Sequence, residues 1–365
     1  MKKIIKRKLF FILFFIQIII SISCSNSDLK NDFIDEELFV KVPESELYTR
    51  IRGNPHKPLI VNLHGGPGGY SGIDIKQMGP GLEDNFLVAY LDQRGCGKSP
   101  WELDSSMLTI AQYIDDLNFV IDTLSNHYKK EKVNLVGTSW GGMYGFLYLL
   151  EHQEKVNAFA CIDGKVNSEY QNNSLIEYEL YLVSEKMKQD ISENKKQKLK
   201  EIEAELFRIK GSNFEQFYLD VNKIKHEYPP ILGFNAYFVD TSKIISIEDV
   251  LNDSLLLSLM KYTAEEYLGI GKKAEIVNKA FRNTPNYNNL NIESDLKNIK
   301  IPVAVIQGEK DFVVGVKQGE LIFNALTGLP ESKKVLHIIP DVGHCPAIES
   351  RDVLIKILLS FFKKY

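Results

Sequence analysis

The sequence predicts an α/β fold, a doubly wound and mostly parallel sheet with an inserted helical cap. Three observations predict it. Short apolar runs recur along the chain and alternate with segments of helical period, as parallel strands buried on both faces require. Between about residues 165 and 297 this alternation gives way to charged, amphipathic helical patterns, and then it resumes. One stretch, Val133 to Gly145, reads as strand, sharp turn and helix, with Gly137-Thr138-Ser139-Trp140-Gly141 at the turn. The core is therefore expected over 36–164 and 298–365, and the helical cap over 165–297.

The first residues stand outside that fold. Lys2, Lys3, Lys6, Arg7 and Lys8 precede an apolar run from Leu9 to Ile20 that is broken only by Gln17. A basic start followed by a short apolar run reads as a secretory signal, 1–23, too short for a comfortable membrane span. Ser21-Ile22-Ser23-Cys24 resembles a bacterial lipoprotein signal, with Ser21 where leucine is commonest. That resemblance implies lipid on Cys24, a tether over 24–35, and an exported protein held at a membrane and facing periplasm or cell surface. A plain signal peptide or an uncleaved anchor is the competing reading. Removing 1–23 takes five of the 44 Lys and Arg and none of the 48 Asp and Glu, leaving a balance of −9. Such a chain has no electrostatic reason to bind nucleic acid. Cys96, Cys161 and Cys345 are an odd number at wide spacings, so they support neither a disulfide framework nor a metal site, although a single bridge stays open. Composition, at 44% hydrophobic and 25% charged, is that of an ordinary globular protein.

In chain order, Leu38–Val42 and Leu47–Ile51 read as strands joined by a turn at Pro43-Glu44. Leu59–Leu63 is a buried-strand run ending in His64-Gly65-Gly66-Pro67-Gly68, and Phe86–Leu91 is another, ending in Asp92-Gln93-Arg94-Gly95-Cys96-Gly97-Lys98-Ser99. Ile110, Ile114, Leu117, Ile121, Leu124 and Tyr128 recur at helical steps, with Thr109 and Gln112 as a capping box. Val133–Val136 and Val156–Ile162 are further strands. In the cap, Ile176, Leu180, Val183, Met187 and Ile191 mark one amphipathic helix, and Leu199, Ile202, Leu206 and Ile209 another. After it come a strand at Pro302–Gln307, a helix at Gly315–Leu326, a strand at Lys334–Ile339 and a closing helix at Ala347–Phe362.

The turn at Ser139 carries the chemistry. A serine hydroxyl is a weak nucleophile and must stand clear of the sheet beside a base. A sharp turn brings backbone so close that side chains at Gly137 and Gly141 would clash. A Gly-Ser-Gly turn without chemistry would match the pentapeptide alone, but two later strands end in the groups that Ser139 lacks. Asp311 follows one strand and His344 the next, both at carboxyl ends, where such sheets collect their sites. Ser139 is then the nucleophile, His344 the base and Asp311 the group that holds the imidazolium. Asp341 competes with Asp311 but lies only three residues from His344. The backbone N–H groups of Gly66 and Trp140 are the expected oxyanion donors.

Together HGGPG (64–68), DQRGCGKS (92–99), GTSWGG (137–142), GEKD (308–311) and DVGH (341–344) resemble the proline iminopeptidase family of α/β-hydrolases. The resemblance covers most of 36–365, with its motifs in the sheet domain. It implies a serine peptidase without cofactor that releases proline or another small residue from the N-terminus of a peptide. Simple carboxylic-ester hydrolysis, or a surface lipoprotein that binds without catalysis, are the alternatives, so the expected partner is a peptide or small ester. The family's usual glutamate after the catalytic aspartate is replaced here by Phe312, and a common proline by Gly315. An acid for the substrate's ammonium group is then expected from the cap, with Glu169, Glu177, Glu227 and Asp240 as candidates, and apolar walls from Phe234, Tyr237 and Phe238.

Overall fold

The computed structural model describes residues 32–100, 105–210, 220, 223–282 and 284–365. The expected signal segment and Cys24 lie outside the described residues. Eight strands form one sheet: β1 (Ile34–Val42), β2 (Ser45–Gly53), β3 (Leu59–Leu63), β4 (Leu87–Leu91), β5 (Val133–Thr138), β6 (Val156–Ile162), β7 (Val303–Gly308) and β8 (Lys334–Ile339). Their order is β1-β2-β4-β3-β5-β6-β7-β8. The β1–β2 and β2–β4 pairs are antiparallel, and the remaining five pairs are parallel. Strand β1 begins at Ile34, so the last residues of the expected tether are already paired, Ile34 with Gly53 and Asp35 with Arg52.

Strand alternation divides the core into two layers, because successive side chains face opposite sides of a sheet. Leu59, Val61 and Leu63 of β3 join Leu87 and Ala89 of β4 on one side, while Ile60 and Val88 face the other. The first side is covered by α2 (Ile110–Tyr128), α3 (Trp140–His152) and α10 (Gln318–Ala325), through Leu117, Met143 and Ile322. The second is covered by α1 (Gly72–Leu82) and α11 (Arg351–Phe362), through Ile75 and Leu354. Helices on both faces explain why the central strands are apolar at nearly every position.

Local details depart from expectation. Helix α1 was not marked by the pattern, because Gly79, Pro80 and Gly81 interrupt its apolar period and kink the helix at Pro80. The Thr109 hydroxyl caps α2 by accepting the Gln112 N–H at 3.1 Å, but the Gln112 side chain donates to Asp116 instead of closing the box. The expected helix at Gly315 starts at Gln318, since Gly315 has a positive φ of 98°. The closing helix is two pieces, Pro346–Glu349 and α11.

The cap comprises α4 (Ser168–Met187), α5 (Glu193–Lys210), a wide turn at Lys223–Glu227, α6 (Tyr228–Leu232), α7 (Ile247–Asn252), α8 (Ser254–Met260) and α9 (Ala264–Arg282). Ile176 and Val183 of α4 meet Leu199, Ile202, Leu206 and Ile209 of α5 in a core of their own, as the two stripes predict. Several contacts fasten the cap to the sheet domain, among them Tyr262 on Asp92 and Lys273 on the Gly97 and Ser99 carbonyls. Phe312 stacks on Tyr178 of α4 with ring centroids 3.9 Å apart. The Glu349 carboxylate accepts the N–H groups of Val239 and Asp240 from the cap and of Gly343 from the β8 loop, at 2.8 to 2.9 Å. Among the described residues no helix is long and apolar enough to cross a membrane.

Candidate active site

Ser139 sits between β5 and α3 with φ 55° and ψ −114°, a conformation that costs about 1–3 kcal/mol and persists only where the surroundings enforce it. The flanking glycines show how they do so. A Cβ on Gly137 would lie 2.2 Å from the Gly141 carbonyl oxygen, and one on Gly141 would lie 2.0 Å from that of Leu63. No other residue fits at either position.

The structure brings the three expected residues into one chain of hydrogen bonds. The Ser139 hydroxyl lies 2.9 Å from His344 Nε2, and His344 Nδ1 lies 2.9 Å from Asp311 Oδ2. With a carboxylate at Nδ1, that nitrogen carries the hydrogen and Nε2 is free to accept from Ser139. Asp311 is fully buried, and its other oxygen accepts the N–H groups of Val313 and Val314 at 2.9 and 3.1 Å. The rival Asp341 points away and pairs with Lys310 at 2.7 Å. His344 is positioned in part by the cap, its N–H donating to the Tyr237 carbonyl at 2.7 Å.

Gly66 and Trp140 line the same cavity as Ser139 and His344. Trp140 opens α3, where backbone N–H groups have no preceding helical carbonyl to bond. Gln93, which sequence reasoning left as part of a motif, ties these parts together. It donates its N–H to His64 Nε2 at 3.2 Å and its side-chain amide to the His64 carbonyl at 3.1 Å, and its Oε1 accepts the Trp140 indole at 2.6 Å. Burial holds His64 in the neutral form, so its Nδ1–H donates to the Gly65 carbonyl while Nε2 accepts. Arg94 of the same motif pairs with Asp116 at 2.6 Å, and Asp92 accepts the Ser71 and Lys98 N–H groups. These bonds brace the loop over the nucleophile.

Two features of the site were missed. Asp163, just past β6, brings its carboxyl within 4.8 Å of the facing atoms of Asp311 and His344. Its Oδ1 accepts the Gly308 N–H at 2.9 Å, and burial followed by the charge of Asp311 pushes its carboxyl well above the usual carboxylate range. The signal was present in Ile162-Asp163-Gly164, an acid at the end of a buried strand. The second feature is positive charge. The cavity over Ser139, about 470 Å³, is lined by Lys165, Lys225 and Arg282.

The expected acids for an ammonium group lie elsewhere. Glu169 and Glu177 line separate clefts, and Glu177 pairs with Lys210 at 2.9 Å. Asp240 is exposed and accepts the Ser242 hydroxyl and N–H, while Glu227 is exposed at the start of α6. Glu177 and Asp240 are held by these local interactions, and helix periodicity does not reveal which of a cap's polar residues face inward. The acid that does line the cavity is Asp74, which accepts the Asn62 amide at 2.6 Å and is pushed up to about 7 by burial. Of the expected aromatic walls, Tyr237 lines the cavity, whereas Phe234 packs edge-on against Tyr178 and Phe312 in the cap interior. Cys96, Cys161 and Cys345 are all free thiols.

The profile of the alpha/beta hydrolase fold matches residues 58–350 of this chain. The chain belongs to that family. Within it, this hydrolase is 31% identical to a proline iminopeptidase of Levilactobacillus brevis over 126 residues, which is 33% of this chain and 40% of that relative. It is 22% identical to a proline iminopeptidase of Pestalotiopsis fici over 89% of its own length and 99% of the relative's. The stronger bacterial matches are partial, the hydrolase spanning 34% to 40% of the length of those curated relatives. A proline iminopeptidase-related protein of Thermus thermophilus shares the fold with a TM-score of 0.60 at 19% identity, covering 90% of this chain and 98% of that one.

Proposed function

We propose that this hydrolase is a serine enzyme that cleaves a small carboxylic amide or ester through an acyl-enzyme. The observation that carries the reading is the continuous hydrogen-bonded run Ser139–His344–Asp311 at the floor of a cavity. His344 Nε2 takes the Ser139 proton as Oγ attacks the carbonyl, and Asp311 holds the resulting imidazolium. The tetrahedral oxyanion lies against the N–H groups of Trp140 and Gly66. His344 then delivers its proton to the departing amine or alcohol. A water, deprotonated by the same histidine, splits the acyl–Ser139 bond and returns the free serine.

The names of the curated relatives support aminopeptidase action on proline or another small N-terminal residue. That substrate brings an ammonium group, which needs a fixed carboxylate close to Ser139. The cations Lys165, Lys225 and Arg282 favour the second reading, an ester or amide without a free amine. A fluorophosphonate probe is expected to label the wild type and not Ser139→Ala, and equal labelling of both removes the nucleophile assignment. Turnover of a prolyl arylamide but not of its N-acetyl form supports the peptidase. Turnover of a short-chain nitrophenyl ester alone supports the second reading.

The basic, apolar and small-residue order of the first residues supports export and a lipid tether at Cys24. Palmitate labelling of the membrane fraction tests it. A soluble product cleaved elsewhere overturns it.

A further inference from the structure

Three cations converge on the cavity over Ser139 from three separate elements. Lys165 follows β6, Lys225 sits in the wide turn at Lys223–Glu227, and Arg282 ends α9. Lys165 is 8% exposed, and its ammonium lies 4.4 Å from the centre of the Tyr287 ring. Among the described residues no carboxylate is paired with any of the three. Elsewhere the protein pairs its buried guanidinium groups, Arg94 with Asp116 and Arg50 with Asp35. At the candidate catalytic cavity Lys165 is buried without such a partner, beside the half-buried Lys225 and Arg282.

Burial costs these groups their hydration, and each repels the others. Burial first, then Lys225 and Arg282, bring Lys165 down to about 7, and burial and then Arg282 bring Lys225 down to about 8. Gathering unpaired cations in a poorly hydrated space opposes folding unless something offsets it. An anion entering the cavity would offset it, meeting a planar guanidinium suited to two parallel hydrogen bonds and two ammonium point charges. Apolar lining from Val313, Val314 and Tyr237 leaves room for a short carbon chain between such an anion and Ser139.

We propose that Lys165, Lys225 and Arg282 form an oxyanion-binding subsite, and that the substrate of this hydrolase carries a carboxylate on its acyl part. The proposal rests on the serine hydrolase reading for its catalytic half only, because the binding half can be measured alone. It also accounts for three cations beside Ser139, where the curated relatives' names imply an ammonium-bearing substrate and Asp74 is the acid that lines the cavity among the described residues.

The test has two arms on the full chain. In the first, the mono-nitrophenyl ester of glutaric acid is compared with nitrophenyl valerate, which has the same chain length and no charge. The wild type is expected to prefer the anionic ester by about tenfold or more in kcat/KM, the scale of one charge-assisted hydrogen-bond pair. Arg282→Met and Lys225→Met are each expected to reduce that ratio by about tenfold, mainly through KM. In the second arm, glutarate is titrated calorimetrically into the wild type and Arg282→Met. Binding by the wild type that weakens about tenfold in the variant is expected. A labelled, active enzyme that turns over the neutral ester or a prolyl arylamide as well as the anionic ester overturns the subsite and leaves the hydrolase reading standing. An unlabelled protein that still binds glutarate through Arg282 overturns the hydrolase reading and leaves the subsite. A protein that does not bind glutarate overturns the subsite whatever its activity.

Discussion

Asp163 sets its carboxyl against that of Asp311, within 4.8 Å and out of contact with water. Two ionised carboxylates at that separation repel strongly in a buried setting. Asp311 already accepts from His344 and from two backbone N–H groups. Its neighbour is therefore the one that keeps a proton, and it holds the Gly308 N–H at the base of the Asp311 turn.

Asparagine at 163 preserves both the acceptor for Gly308 and a donor toward Asp311, and it tolerates the positive φ of 47° found there. Asp163→Asn is thus expected to retain nearly the wild-type labelling rate and melting temperature. Asp163→Ala strands a buried N–H and should cost about 1–3 kcal/mol. Thermal melts of both variants, with fluorophosphonate labelling rates, separate these outcomes. Equal losses in the two would contradict the proton-holding role.

Glu179 of α4 is fully buried in the cap, and neither of its oxygens has a hydrogen-bond partner. Burial pushes its carboxyl up to about 9 from an ordinary value of 4.5. Between those values the folded state holds a proton that the unfolded chain has lost, so the glutamate's contribution to stability falls as pH rises. Glu179→Leu is expected to stabilise the protein by about 3 kcal/mol at pH 7 and by less at pH 5. Urea unfolding at the two pH values reads this directly, and a gain independent of pH would speak against it.

Phe312 occupies the position after Asp311 and spends its ring on Tyr178 and Phe234 of the cap. Its role is then attachment of the cap. Phe312→Ala should lower stability by about 2 kcal/mol and speed proteolysis within the cap. Phe312→Glu should not create a requirement for a free amine, because it removes the stacking that seats the cap. Limited proteolysis and prolyl arylamide turnover check the pair of variants.

The cation cluster gives turnover a defined pH response. Lys165, at about 7, faces Lys225 and Arg282, while Lys225, at about 8, faces Arg282 and the more favourable charge of Asp311. Asp74 and His344 share the cavity. Preference for the glutarate ester over the valerate ester should be greatest below pH 7 and decline as pH rises through 7 to 8. Stability moves the other way. From about 7 to 10.5 the unfolded chain binds the proton that Lys165 has released, so the protein gains stability with rising pH in that window. A kcat/KM ratio flat from pH 6 to 9 would contradict the first expectation. A Lys165→Met variant with the wild-type dependence of stability on pH would contradict the second.

Residue order alone was enough for the sheet, because β3, β4, β5, β6 and β7 are buried on both faces and must be apolar at almost every position. It also marked Ser139, Asp311 and His344, since each stands just past a strand end and the residues beside them are constrained by close backbone. What it left open depended on which polar side chains of separate elements meet. Asp163 and Asp311 are 148 residues apart in the chain, and Lys165, Lys225 and Arg282 come from a strand end, a turn and a helix end. Helix period says which stripe is buried in the cap, not which charged residue outside the stripe is turned toward Ser139. Docking of the cap through Phe312 and Glu349 settles that. It leaves Glu177 and Asp240 in local contacts and turns three cations inward, because only the packed arrangement decides which charges lose their water.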